Sequence, residues 1–284
     1  MKRWDDYKFR CSSLGSIMSA GRGVVITDKQ LETLNELLSK VKLTDKQALL
    51  RDELITKRDA KPELSSGAKS YLTQLWKEET FQTRKEISSK YTEKGNLVEN
   101  DAIAFANHHL GWGLLMDFDA DSKNRLTNEF ITGEPDVNWD ANGLLADVKS
   151  SWDLFTFPMF EQKLPNPDYY WQGMGYLALS GKSSFQLVYC LMDTPEHLIL
   201  DAIRKEEYKR CEIELPVEVE QEIRWSMTFS HLEPAQRMRV WTLGAVQSEI
   251  EAIYTQVGMA RDYLNNLDGM YKRITDETDS LFKI

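Results

Sequence analysis

The sequence contains few cysteines and no long hydrophobic run. Three cysteines are scattered over 284 residues without a CxxC pair, which argues against a disulfide framework. The longest stretch without Asp, Glu, Lys or Arg runs from 102 to 116, and it is too short and too polar to span a bilayer. Acidic residues occupy the N-terminal segment, where a signal peptide would carry its apolar region. We therefore expect a soluble cytoplasmic protein with no membrane partner.

The chain also has fewer basic residues than acidic ones. The chain has 35 Lys and Arg residues against 45 Asp and Glu residues, which gives a formal net charge of −10. Because phosphate binding draws on Lys and Arg, this balance argues weakly against nucleic acid. Net charge describes only the average field, however, and a cleft can be locally basic. A metal-dependent nuclease also needs acidic residues at its centre, so the charge balance does not decide the substrate.

The chain shows no Gly/Ser-rich or Pro-rich linker and no internal repeat, so we expect a single domain over 1–284. Hydrophobic spacing predicts N-terminal helices over 27–91, with starts at Thr27, Thr44 and Ser65. A further helix is predicted from about Lys94 to Leu115. The pattern after this helix changes to short extended runs, which predict the sheet.

Short strands are predicted over 128–137 and 144–150, around a turn that ends in Asn142-Gly143. Asn-Gly between extended runs indicates a hairpin, because both residues tolerate a positive φ. The later elements are predicted as a helix over 169–179, a strand over 183–192 and helices over 195–284, the longest from about 234 to 264. The predicted fold class is α/β, with a small mixed β-sheet flanked by helices.

Acidic and basic side chains converge in the predicted hairpin. Asp147 and Lys149 lie two residues apart on the second strand and therefore point to the same face. Asp136, on the first strand, is within cross-strand reach of both. Two carboxylates in an otherwise apolar sheet are costly to bury without a partner. A divalent cation would satisfy both, and Mg²⁺ prefers oxygen ligands.

The segments Pro135-Asp136 and Asp147-Val148-Lys149 resemble the signature of the PD-(D/E)XK nuclease superfamily. Within it, the chain most resembles phage-type alkaline exonucleases of the lambda exonuclease or YqaJ-like viral recombinase family. This resemblance implies a restriction-endonuclease-like core, which it places at about 94–192. Segment 94–99 resembles the helix that bears a characteristic acidic residue, so Glu99 is implied as a further metal-site carboxylate. Segment 170–176 resembles the helix whose Gln lies beside the catalytic group, which implies Gln172.

Two further stretches belong to the same resemblance. Segments 150–152 and 156–158 resemble the chain that follows the catalytic Lys in the family. Segment 10–17 resembles the N-terminal segment that holds the 5′ phosphate in relatives, which implies Arg10, Ser12 and Ser13, although the Arg-to-Ser spacing differs from the lambda pattern. The resemblance covers roughly residues 8–192, and nothing after Pro195 is diagnostic.

The resemblance also implies a mechanism. Asp136, Asp147 and the carbonyl of Val148 would hold one Mg²⁺, for which Mn²⁺ could substitute, and Glu99 would contribute to a second, directly or through water. Lys149 would orient the attacking water or stabilise the developing negative charge. A run near Gly181-Lys182 approaches a phosphate-binding loop, but its glycine spacing is one residue too long and a helix precedes it. We therefore expect no ATP.

The function implied is an exonuclease that degrades linear duplex DNA from 5′ to 3′ and yields single-stranded DNA for phage-type recombination. By resemblance it would act on double-stranded ends as a homo-oligomeric ring, a trimer, with a single-strand annealing protein, in the host cytoplasm if phage-encoded. Two alternatives stay open. One is an endonuclease of restriction or junction-resolving type on the same core, and the other is an inactive DNA-binding member.

Overall fold

A computed structural model describes the chain over residues 2–18, 26, 28–40, 42–59, 63–84, 90–114 and 125–281. The chain divides into two compact units, the first comprising 1–7, 13–83 and 251–284, and the second comprising 8–12 and 84–250. Among the residues described, no helix is long and apolar enough to cross a membrane.

In chain order, the helices are α1 Leu14–Met18, α2 Asp28–Ser39, α3 Asp45–Asp59, α4 Ser66–Phe81, α5 Lys90–Leu97, α6 Glu99–Leu110, α7 Pro167–Ser180, α8 Glu196–Arg210, α9 Val217–Met227 and α10 Gln247–Leu281. The strands are β1 Phe9–Arg10, β2 Leu126–Thr127, β3 Ile131–Gly133, β4 Val137–Trp139, β5 Leu144–Ser150, β6 Ser184–Cys190 and β7 Met238–Gly244.

The first unit is helical, and local sequence sets two of its predicted helix starts. The Ser65 hydroxyl accepts a hydrogen bond from the backbone N–H of Ala68 and caps α4. Thr44 and Gln47 cap α3 reciprocally, each side chain accepting from the other residue's backbone N–H. The predicted cap Thr27 lies outside the described residues. Within this unit, the indole N–H groups of Trp4 and Trp76 both donate to the carboxylate of Asp268 on α10.

The second unit contains a four-stranded sheet in the order β4-β5-β6-β7, in which β5 and β6 are parallel and the other pairs are antiparallel. Helix α6 packs one face of β5, with Ala102 and Ala106 against Ala146 and Val148. The alternate side chains of β5, Asp147 and Lys149, contact α7 instead. A smaller sheet has the order β1-β3-β2. The predicted small mixed sheet flanked by helices is therefore confirmed.

Two predicted elements are divided in the structure. The helix expected from about Lys94 to Leu115 is two helices, since α5 ends at Leu97 and α6 begins at Glu99. Helix α6 ends at Leu110 because Gly111 adopts a left-handed φ of 65° that terminates the turn. The strand expected over 128–137 is also broken, because the chain leaves the small sheet after β3 and enters the large sheet at β4.

The predicted helix over 234–264 is wrong in its first half. Pro234 begins only a single 3₁₀ turn, which Glu233 and Gln236 close as a capping box. The next residues form β7, which pairs antiparallel with β6 from Ser184↔Gly244 to Cys190↔Met238. β-branched and aromatic residues such as Val240 and Trp241 favour a strand, and the partner strand lies about fifty residues earlier. Helix α10 begins only at Gln247.

Candidate active site

The β4–β5 hairpin brings Asp136 next to the second strand, as predicted. Val137 pairs with Ala146, so the residue before β4 faces the segment that carries Asp147. Asp136 Oδ2 accepts a 2.7 Å hydrogen bond from the backbone N–H of Val148. Asp136 itself occupies the bend before β4 rather than a strand position, and it follows Pro135, which has no N–H to donate to a strand ladder. The carboxylate is buried, with 8% of its residue surface exposed.

Asp147 and Lys149 share the face of β5 that contacts α7. Lys149 Nζ lies 2.5 Å from Asp147 Oδ2, and the Asp147 side chain is 2% exposed whereas that of Lys149 is 28% exposed. Lys149 Nζ also lies over the ring of Tyr169 on α7, 5.4 Å from its centroid. Burial alone would lower the pKa of Lys149, but the Asp147 and Asp136 carboxylates raise it above its ordinary value. Both carboxylates thus favour the ammonium form of Lys149.

Gln172 on α7 links this acidic centre to a tyrosine. Its Nε2 atom donates to Asp147 Oδ1 at 3.5 Å and to the hydroxyl of Tyr176 at 2.9 Å. The Tyr176 hydroxyl in turn donates to the backbone carbonyl of Glu134 at 3.1 Å. Burial and the nearby Asp147 carboxylate raise the pKa of Tyr176, so its O–H is retained. The side chain of Gln172, which was predicted to lie beside the catalytic group, thus hydrogen-bonds to both Asp147 and Tyr176.

Glu99 is the first residue of α6 and is half-buried. Among the described residues, no three Asp, Glu, His or Cys side chains come close enough to hold a metal ion together. The donor set that the structure does bring together consists of the Asp136 and Asp147 carboxylates beside the backbone of Val148. Oxygen donors from two carboxylates suit Mg²⁺, which keeps several of its waters and needs few protein ligands. This pair fits the implied cation, and a direct contribution from Glu99 stays a prediction.

A pocket of about 190 Å³ lies on the other side of Tyr176. It is lined by Arg10, Cys11, Ser12, Arg125, Thr132, Gly133, Glu134 and Tyr176. Two predicted phosphate-binding residues, Arg10 and Ser12, therefore share one cavity. Ser13 belongs to the other compact unit and is not among the lining residues. Burial, together with the Asp147 carboxylate, raises the pKa of Cys11 to about 12, so this residue stays a neutral thiol.

A buried lysine anchors the chain that leaves β5. Lys94 is 1% exposed, and its Nζ atom donates a 2.8 Å hydrogen bond to the carbonyl of Trp152. The same ammonium lies 5.7 Å from the Trp152 ring and 5.2 Å from the Phe229 ring. Trp152 follows β5 by two residues, so Lys94 helps to place the end of the strand that carries Asp147.

Sequence reasoning missed several of these residues. Tyr176 could have been found, because it lies four residues after Gln172 and so shares its helix face. The positions of Arg125, Glu134 and Lys94 depend on strand register and on packing between distant segments. No local pattern marks them.

The architecture is similar to that of solved exonucleases. A phage-related exonuclease from Haemophilus somnus 129PT aligns over 94% of this chain and 97% of its own, with a TM-score of 0.65 and 23% identity. An alkaline exonuclease from Laribacter hongkongensis aligns over 98% of each chain, with a TM-score of 0.52 and 12% identity. No protein-family profile matches the sequence, and no curated protein matches it. At these identities the likeness shows a shared fold.

Proposed function

We propose that this protein is a Mg²⁺-dependent exonuclease that degrades linear duplex DNA from its 5′ ends. The observation that carries the proposal is the meeting of Asp136, Asp147 and Lys149 at one hairpin, beside a pocket lined by arginines. Two carboxylates next to an ammonium group suit the hydrolysis of a phosphodiester with a divalent cation. The fold shared with two solved exonucleases supports the same class of reaction.

Each residue of the centre has a chemical task in this proposal. Asp136 and Asp147, with the Val148 carbonyl, would hold the cation, and Glu99 would contribute directly or through water. A bound Mg²⁺ would lower the pKa of a water molecule and offset negative charge on the scissile phosphate. The Lys149 ammonium would orient that water or donate to the phosphate as negative charge develops. Gln172, whose Nε2 atom lies 3.5 Å from Asp147 Oδ1, would help to orient the Asp147 carboxylate.

The position of the pocket supports 5′-to-3′ polarity. Hydrolysis adds the water oxygen to phosphorus and breaks the bond to the 3′ oxygen, which takes up a proton. The released mononucleotide then has a 3′-hydroxyl, and the shortened strand has a new 5′ phosphate. Arg10 and Ser12 offer a guanidinium and a hydroxyl for such a terminal phosphate, one hydrogen-bonded residue away from Gln172. Every cycle would therefore recreate the group that the pocket binds.

We base the proposed biological setting on the similarity in fold to a phage-related exonuclease. A ring-shaped homo-oligomer, a trimer, would encircle duplex DNA and pass the remaining strand to a single-strand annealing protein for recombination. Light scattering on the purified protein, alone and with a duplex, tests the assembly. A monomer under both conditions would remove the ring from the proposal and leave the reaction in place.

The reaction itself is tested by digestion of one plasmid in Mg²⁺, circular beside linearised, with and without 5′ phosphates. Loss of the linear form alone, faster with 5′ phosphates, is the expected result. Nicking or cutting of the circle would instead support the endonuclease alternative. No digestion of either form by a folded protein that binds duplex DNA would support the inactive DNA-binding alternative. Replacing Mg²⁺ by Mn²⁺ should preserve activity, and adding ATP should change nothing.

A further inference from the structure

The arginine-lined pocket also contains a carboxylate, which is unexpected in a site for a phosphate. Arg125 Nη2 lies 2.6 Å from Glu134 Oε2, and both residues line the cavity with Arg10 and Ser12. The cavity volume of about 190 Å³ is well above the ~10–15 Å³ that a single water molecule needs, so a terminal phosphate has room there. A bound phosphate would therefore lie within a few ångströms of a like charge.

Strand register places these side chains together. Leu126 pairs with Gly133 in the antiparallel β2–β3 ladder, so the adjoining residues Arg125 and Glu134 face each other at its end. Arg10 lies on the other side of β3, where it pairs with Thr132 in the parallel β1–β3 ladder. The backbone at Glu134 is held as well, because its carbonyl accepts the Tyr176 hydroxyl. The ion pair is thus part of the pocket wall.

The two guanidiniums of the pocket differ in their partners. Arg125 is engaged by Glu134, whereas no described side chain forms an ion pair with Arg10. A terminal phosphate can use Arg10 directly. It gains Arg125 only by sharing this guanidinium with Glu134 or by displacing the carboxylate. Both routes weaken phosphate binding relative to a pocket with two unengaged arginines.

We propose that Glu134 is a specificity-determining residue that moderates selection of the 5′ phosphate by holding Arg125. This inference rests on the proposed function and refines it. A nuclease that releases a 5′-phosphorylated mononucleotide at every step must also let that phosphate leave the pocket. A carboxylate that competes for one of two guanidiniums keeps binding selective without making release slow.

The test measures binding separately from cleavage. A fluorescent duplex with a 5′ phosphate and one with a 5′ hydroxyl are titrated in Ca²⁺, and the ratio of the two Kd values reports phosphate selection. E134Q should increase the preference for the phosphate about 5- to 10-fold, because repulsion is removed and Arg125 is released. R125Q should reduce the preference by a similar factor, because the Glu134 charge is then unopposed. The double variant R125Q/E134Q should lie between the single variants.

A matched control is R10Q, which should abolish the preference. An unchanged or reduced preference in E134Q, while R10Q still abolishes it, would overturn the role of Glu134. Equal binding of both duplexes by the wild-type protein would overturn it as well, and the plasmid digestion would still report whether the protein is a nuclease. Conversely, a protein that cleaves nothing but shows the expected order of preferences would retain the pocket assignment and lose the proposed reaction.

Discussion

The backbone N–H of Val148 donates to the carboxylate of Asp136 at 2.7 Å, across the β4–β5 hairpin. This bond joins the two halves of the acidic centre, because Val148 lies between Asp147 and Lys149 on β5. The Asp136 carboxylate is thus oriented by the backbone that carries the other two groups. A change at Asp136 can therefore alter its charge while this hydrogen bond is kept.

Asp136→Asn should abolish cleavage and preserve the fold. The amide oxygen of Asn can still accept the Val148 N–H, but the negative charge that a divalent cation needs is lost. We expect at least a 100-fold decrease in turnover and weaker Mn²⁺ binding by titration calorimetry, with an unchanged Tm. Asp201→Asn, on the exposed surface of α8, makes the same chemical change away from the site and should behave as wild type. Near-normal turnover in Asp136→Asn would remove Asp136 from the centre.

Lys149→Met should reduce turnover about 100- to 1,000-fold while DNA binding is retained. The methionine keeps the length of the side chain but cannot donate to a phosphate. It also leaves Asp147 without its ion-pair partner at 2.5 Å, so stability should fall. Single-turnover cleavage and duplex binding are measured on the same preparation. Lys205→Met, at an exposed position of α8, is the control. A loss of binding equal to the loss of cleavage would contradict a role for Lys149 in the chemical step.

Tyr176→Phe tests whether the tyrosine positions Gln172. The change removes one hydroxyl, which accepts from Gln172 and donates to Glu134, and leaves both groups without that partner. We expect a loss of about 1–2 kcal/mol in the free energy of unfolding. We also expect about a 10-fold decrease in kcat with little change in KM, because Asp147 is held less firmly. Tyr208→Phe, at an exposed position, is the control. A stability loss without any change in kcat would assign Tyr176 a structural role only.

Lys94 should contribute a rise in the free energy of unfolding between about pH 8 and pH 10.5. Burial lowers the pKa of Lys94 from its ordinary value near 10.5 to about 8, although Asp193 and Asp153 act in the opposite direction. In this window Lys94 is protonated in the unfolded chain and largely deprotonated in the folded chain, so its contribution to the free energy of unfolding increases with pH. The gain should be on the order of 1–3 kcal/mol.

Urea unfolding across this pH range measures the effect. Residue 94 cannot titrate in Lys94→Met, so the free energy of unfolding of the wild type minus that of Lys94→Met should increase from about pH 8 to pH 10.5, whereas Lys205→Met should follow wild type. Parallel profiles for wild type and Lys94→Met would show that Lys94 titrates alike in the folded and unfolded states.

The hairpin with Asp136, Asp147 and Lys149 was predictable because its contacts are local. An Asn-Gly turn joins two strands whose side-chain alternation follows from the sequence, so eleven residues of chain are enough to bring both carboxylates together. Helix α7, predicted over 169–179, is observed as Pro167–Ser180, and its hydrogen bonds also lie within a short span of chain. Strand β7 was not, because its conformation depends on pairing with β6, far away in the chain.

The sequence by itself therefore determined the helix caps, the hairpin and the acidic centre, since these depend on hydrogen bonds and alternation within a short span. Only the tertiary structure decided which side chains surround that centre. The pairing of β2 with β3 places Arg125 opposite Glu134. Packing of α5 near the end of β5 buries the Lys94 ammonium against Trp152. These contacts join segments up to 58 residues apart. No local propensity specifies such contacts, because they form only when burial of the apolar faces brings the segments together.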